Sequence, residues 1–248
     1  MSNEPLAIKL AGALRSSKLS PTAQLSLSLL VGLLPLLGAA TLLSGFSFSV
    51  LGVTLAGYLA ASLFALNAIR AGYPHDLLGL GNLTTIFRMT LVVALIAPLV
   101  EPASRWLIAV IALLALVLDG FDGWLARREG RVSDFGARLD MEVDAAIGVI
   151  LALNIWAVGI IGPWVLILGL PRYVFILAAQ FFPWLNGQLP SSLARRVICV
   201  VQVSVLIGIM TPIFPDWVIW FAFVVGSALL LWSFGRDALW LWRSSRAK

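Results

Sequence analysis

Eight stretches of predominantly apolar residues, divided by short breaks rich in glycine and proline, make up most of this chain. They cover approximately residues 22–44, 48–69, 83–100, 104–124, 137–160, 163–183, 194–213 and 217–236. At roughly twenty residues each, such runs match the ~30 Å hydrocarbon core of a bilayer when helical. A soluble fold is excluded by the balance around them: 60% of the 248 residues are hydrophobic and 12% charged, with a mean hydropathy of +0.99. So little charge cannot cover a water-facing surface of this size. The expected fold is an all-α polytopic membrane protein of about eight transmembrane helices, because lipid requires every backbone polar group to be satisfied within the segment.

The breaks have chemical causes. Ser44-Gly45-Phe46-Ser47 makes the first turn and Gly72-Tyr73-Pro74-His75 opens the second. Pro102, Gly162-Pro163, Leu189-Pro190 and the stretch from Pro212 to Pro215 supply most of the others. Residues 1–21 precede the first run as a cytoplasmic segment; it reads either as a basic amphipathic surface helix, with Leu6, Leu10, Ala13 and Leu14 on one face, or as a plain tail. The first hydrophobic run is long enough to span, unlike the shorter core of a secretion signal. Residues 237–248 are read as a cytoplasmic tail.

With eight spans both termini share one side, and 15 of the 17 Lys and Arg residues fall there. Arg105 falls opposite and Arg172 lies near the middle of the sixth span. The positive-inside rule then places both termini in the cytoplasm. The net charge of +5 sits mostly at helix ends, which suits topology and anionic headgroups and gives no reason to invoke nucleic acid. Cys199, the single cysteine, lies in an apolar run and reads as a small buried hydrophobe.

Four aspartates interrupt the apolar pattern: Asp119 and Asp122 on the fourth run, Asp140 and Asp144 on the fifth. A carboxylate at membrane depth costs a few kcal/mol or more, so each marks a candidate site. The i,i+3 and i,i+4 spacings put each pair on one helix face, and two facing helices would converge all four. Mutual repulsion then demands protonation or a dication, and all-oxygen ligation suits Mg²⁺ or Mn²⁺. The alternative is a set of helix-end charges at the membrane interface. Gly123 and Ala126 lie on the aspartate face of the fourth helix, and Gly136 one turn before Asp140; these small residues leave a slot for a ligand. Arg127 sets a positive charge at its mouth, suited to a diphosphate. Carboxylates, divalent metal, slot and arginine together describe phosphoryl transfer.

These residues fill, without a departure, all eight fixed positions of the pattern D-x2-D-G-x2-A-R-x8-G-x3-D-x3-D, from Asp119 to Asp144. The chain thereby resembles the CDP-alcohol phosphotransferase family. Upstream, Asn82, Thr85 and Arg88 resemble the N-x-x-T-x-x-R opening of that family's first core helix. The resemblance covers about residues 82–236, a six-helix catalytic core, and leaves 22–69 as a two-helix extension without an assigned role.

The resemblance implies metal ligation by Asp119, Asp122 and Asp140, with Asp144 as general base that also touches metal. It implies CDP contacts from Gly123, Ala126, Arg127 and Gly136, a homodimer, and a site open to the cytoplasm, here of a bacterial inner membrane. The expected reaction transfers the phosphatidyl group of CDP-diacylglycerol to a small alcohol, phosphorylated or not, in phospholipid biosynthesis. The reverse arrangement, a CDP-linked small alcohol with diacylglycerol as acceptor, shares the signature. A cation transporter would also bury carboxylates, but it would not require the glycines, alanine and arginine at fixed offsets, and no internal repeat is present.

Outside the signature, Arg172 and Arg195 are candidates for the acceptor side. Arg172 is expected to meet an acceptor phosphate or one of the core carboxylates, and Arg195 could equally be a topological anchor. Glu142 lies about 200° around its helix from Asp140 and Asp144, so it is expected to face away, toward water or a dimer partner. His75 receives no role.

Overall fold

The structure is a computed structural model that describes residues 19–130, 132–187 and 192–246, apart from the side chains of Asp122, Trp124, Ala126 and Leu193. Most of the segment 1–21 therefore lies outside the described residues. Every regular element among them is helical. We number the helices α1 (Pro21–Ser44), α2 (Phe48–Arg70), α3 (Gly79–Ala94), α4 (Arg105–Arg128), α5 (Asp134–Ala157), α6 (Leu166–Gly169), α7 (Pro171–Phe181), α8 (Leu193–Met210) and α9 (Asp216–Arg246). Short 3-10 turns at Ala97–Leu99, Pro163–Val165 and Pro183–Asn186 join them.

Local chemistry sets the ends of these helices. Ser20 accepts a hydrogen bond from the Ala23 amide and Pro21 occupies the first turn of α1, where its missing N–H costs nothing. Gly45, at φ +77°, ends that helix while its amide returns to Thr41 O at 2.9 Å. Ser133 caps α5 by accepting from the Gly136 amide at 3.1 Å.

Helix α3 is the axis of the bundle. It packs against α1, α2, α4 and α5, and the span Gly79–Leu99 is 72% buried within the protein, against 28% for α1 and α2. Its second half, from Met89 to Ala94, is buried on every side, as a helix surrounded by others requires. Helix α4 lies along α3, α5 lies across α3 and α8, and α9 covers α8. Polar contacts tie the N-terminal pair together and fasten it to the core. Tyr58 of α2 donates to Leu29 O of α1 at 2.8 Å. Gln24 of α1 accepts from the Leu78 amide at 3.0 Å and donates to Asp76 O at 3.0 Å, gripping the loop that leads into α3.

Helices occupy all eight expected stretches, and the protein is an integral membrane protein by the apolar character of several of them. Among the described residues four helices are long and apolar enough to cross a membrane, at Pro21–Ser44, Phe48–Arg70, Gly79–Leu99 and Asp216–Arg246. Two expectations need correction. The sixth stretch is no continuous span: it breaks between α6 and α7 with a bend of 72°. Pro171 is the cause, because it has no N–H for the Ile167 carbonyl and its ring clashes with that turn. The bend is held from both sides. Gly169 fits so closely on α5 that a Cβ there would lie 3.0 Å from Gly148 O. Gln202 of α8 donates to the Leu168 carbonyl. Second, Cys199 is exposed on α8 and is no core residue. The last helix runs unbroken to Arg246.

Candidate active site

Three helices meet at Arg88, near the middle of α3. Helix α4 brings Asp119, α5 brings Asp140 and Asp144, and α3 sends Arg88 between them. One carboxylate oxygen from each aspartate lies within 4.8 Å of the others. At that separation two like charges repel by on the order of 3 kcal/mol per pair at an effective dielectric of about 20. A nearby cation is therefore required if the three are ionised.

Arg88 supplies one. Its side chain is 2% exposed, with Nη1 2.5 Å from Asp119 Oδ1 and Nη2 2.5 Å from Asp144 Oδ1. Nη2 is also 2.9 Å from Asp140 Oδ1 and donates to the Asp140 carbonyl at 3.4 Å. The planar fork of a guanidinium is what allows one side chain to serve carboxylates from two helices. The sequence reading counted Arg88 only among the topological charges and in the upstream motif. The signal that would have found it is its place in the middle of an apolar helix, where an unpaired arginine is expensive.

One guanidinium against three ionised carboxylates leaves two negative charges, and Asp140 Oδ1 is buried without a well-aligned hydrogen bond. Hard oxygen donors with this residual charge fit a Mg²⁺ or Mn²⁺ ion. Asp119, Asp140 and Asp144 could hold it. Asp122 lies on the same helix as Asp119, but its side chain and that of Ala126 fall outside the described residues.

The other expected site residues divide. Gly136 sits against α3, where a Cβ would lie 2.7 Å from Asn82 Oδ1. Asn82 is itself held, donating to Leu78 O at 2.6 Å and to Tyr73 Oη at 3.1 Å. Around Gly123, by contrast, a Cβ would meet among the described residues only the Arg127 side chain, 3.2 Å away. Arg127 is exposed at this end of α4. Beyond Arg127, Glu129 accepts from the Leu80 amide at 2.9 Å, and His75 Nε2 lies 3.3 Å from Val132 O.

Arg172 is not at midspan, and among the described residues it forms no ion pair with Asp119, Asp140 or Asp144. It stands in the first turn of α7, at the break, and pairs with Glu142 on α5. Glu142 faces away from the aspartate cluster as expected, but its partner is this arginine within the chain. Arg195 lies 3.5 Å from Asp237 on α9.

Helical architecture and site geometry define a polytopic membrane protein with an acidic, arginine-bridged centre. The sequence profile of the CDP-alcohol phosphatidyltransferase family matches residues 78–228, and the chain belongs to that family. It is similar to the CDP-diacylglycerol–glycerol-3-phosphate 3-phosphatidyltransferase of Cereibacter sphaeroides, 36% identical over 85 residues, which is 33% of this chain and 38% of that protein. The chain thus spans well under half the length of that curated relative. No solved structure matches it.

Proposed function

We propose that the protein transfers the phosphatidyl group of CDP-diacylglycerol to a small polar alcohol and releases CMP. The observation that carries this is the convergence of Asp119, Asp140 and Asp144 in a chain of this family. The activity of the Cereibacter sphaeroides relative, with glycerol 3-phosphate, favours this direction over one with diacylglycerol as acceptor, and it favours a phosphorylated alcohol.

In this reading Asp119, Asp122 and Asp140 hold Mg²⁺ or Mn²⁺, and Asp144 shares in that ligation. The ion supplies charge neutralisation for the donor's diphosphate when bound. Asp144 takes the proton of the acceptor hydroxyl as its oxygen forms a bond to the phosphatidyl phosphorus. The bond from that phosphorus to the bridging oxygen breaks, and CMP leaves with the electron pair. Gly123, Ala126 and Gly136 shape the slot for the cytidine diphosphate, and Arg127 contacts its phosphates. Arg195 stands on the acceptor side. The ion pair with Glu142 supports reading Arg172 as a fastening of α7 to α5.

The same reading takes the chain as eight spans with cytoplasmic termini, a core at 82–236 behind a two-helix extension, and a homodimer in a bacterial inner membrane. Purified protein given Mn²⁺, radiolabelled CDP-diacylglycerol and a panel of alcohols tests the reaction. A labelled phosphatidyl product with one alcohol identifies the acceptor. Conversion of labelled diacylglycerol to a phospholipid with a CDP-linked small alcohol as donor, and CMP released, would instead reverse the direction, and no CMP from any pairing would overturn the proposal.

A further inference from the structure

Arg88 is buried more deeply than any of the acids around it, and it touches all three. Those acids are 25%, 40% and 39% exposed, so water reaches them as well as the guanidinium. They come from helices separated in sequence, they carry like charge, and they sit within 4.8 Å of one another among apolar helices. A lone buried arginine would be as costly as the acids it faces, so the four groups form one electrostatic unit. Among the described side chains in direct contact the unit is unbalanced, one guanidinium facing three carboxylates, with Arg196 adding a more distant positive charge near Asp140.

We infer that Arg88 is a resident counter-cation for the metal site. It holds the aspartates of α4 and α5 at ligand spacing when no divalent ion is bound, and it competes with that ion for the same carboxylate oxygens. The inference rests on the proposed reading of the aspartates as cation ligands, and it assigns Arg88 a positioning role. Two consequences follow. Without metal, the guanidinium prevents the acidic ends of α4 and α5 from separating. With metal, its continued pull on Asp119 and Asp144 weakens ion binding and keeps the ion exchangeable.

Full-length protein in detergent, with Arg88→Gln, tests this by two readouts other than turnover: melting in chelator against melting in saturating Mn²⁺, and Mn²⁺ affinity by calorimetry. In chelator the variant should melt at least about 5 °C below the parent, and Mn²⁺ should restore most of that loss. Its Mn²⁺ affinity should rise several-fold. An equal loss in chelator and in Mn²⁺, or a weaker affinity, would overturn the inference and leave Arg88 a packing residue. Should the single variant fail to fold in chelator, Arg88→Gln combined with Asp144→Asn decides the matter. Removing one anion with the cation should restore a folded protein if charge balance is the role; a double variant that still fails to fold overturns it. If the parent itself binds no Mn²⁺ and releases no CMP, the proposed function fails. If the parent does both and the variants lack the chelator-specific loss, only the present inference fails.

Discussion

Helix α5 sets carboxylates against arginines on two of its faces: Asp140 and Asp144 against Arg88 on one, Glu142 against Arg172 on the other. The second pairing is one acid with one base, each side chain about a quarter to a third exposed, and its charges balance. The first crowds three acids onto one base that is 2% exposed, and leaves negative charge unbalanced. A closed pair fastens two helices together. An open cluster calls for a further cation, and that difference separates the site from the scaffold on a single helix.

The hardest blow to the open face should come from its acids. Asp119→Asn and Asp140→Asn are each expected to lower CMP release at saturating Mn²⁺ at least about 100-fold, or about 2.7 kcal/mol in the barrier. Melting temperature should hold or rise, since each change relieves repulsion. Asp144→Asn should lose a similar factor in turnover while CDP-diacylglycerol affinity stays within a few-fold, because a base is needed only in the chemical step. Near-normal turnover in any of these variants removes that residue from the site, and a collapse of donor affinity in Asp144→Asn makes it chiefly a metal ligand.

On the closed face the effect should be smaller and of another kind. Glu142→Gln or Arg172→Gln leaves one charge without its partner, at about 1–2 kcal/mol, or several degrees of melting temperature. Both substrates should be affected alike and modestly. The double variant should cost less than the sum of the two singles, as expected for residues in contact. The comparison breaks if Arg172→Gln raises KM for the alcohol alone at unchanged melting temperature, which would make Arg172 an acceptor residue.

How much of this was legible in the sequence depends on the physics involved. Asp119, Asp140 and Asp144 announced themselves because a carboxylate in an apolar helix is costly, and helical spacing put each pair on one face. Helices at the eight stretches followed from length and hydropathy in the same way. Arg88 was visible as a charge but not as a partner, since pairing across α3, α4 and α5 depends on how helices cross. The break at Pro171 was hidden by the continuous hydropathy of 163–183, although the proline itself was in view. That concealment also misplaced Arg172, whose position near the middle of a straight span would have left it far from Glu142's side of α5.

The smallest expected effect sharpens the open face further, through its two glycines. Gly136 and Gly123 are equivalent in the sequence pattern, but the structure surrounds them differently. A Cβ at Gly136 would press on Asn82 Oδ1 at 2.7 Å, and Asn82 cannot yield easily because its amide is tied to Leu78 O and Tyr73 Oη. Gly136→Ala should therefore lose about 1 kcal/mol net, the clash outweighing the gain in helix propensity. Among the described residues, a Cβ at Gly123 would first meet the end of Arg127, an exposed and flexible side chain. Gly123→Ala should fold as well as the parent or gain up to about 1 kcal/mol from propensity. Thermal melts of the two alanine variants in the same detergent read the contrast directly. Gly123→Leu extends it, because a large side chain should weaken binding of the cytidine diphosphate donor while the size-exclusion profile stays unchanged. If Gly123→Ala destabilises as much as Gly136→Ala, both glycines serve helix packing, and the slot assigned to the donor must lie elsewhere.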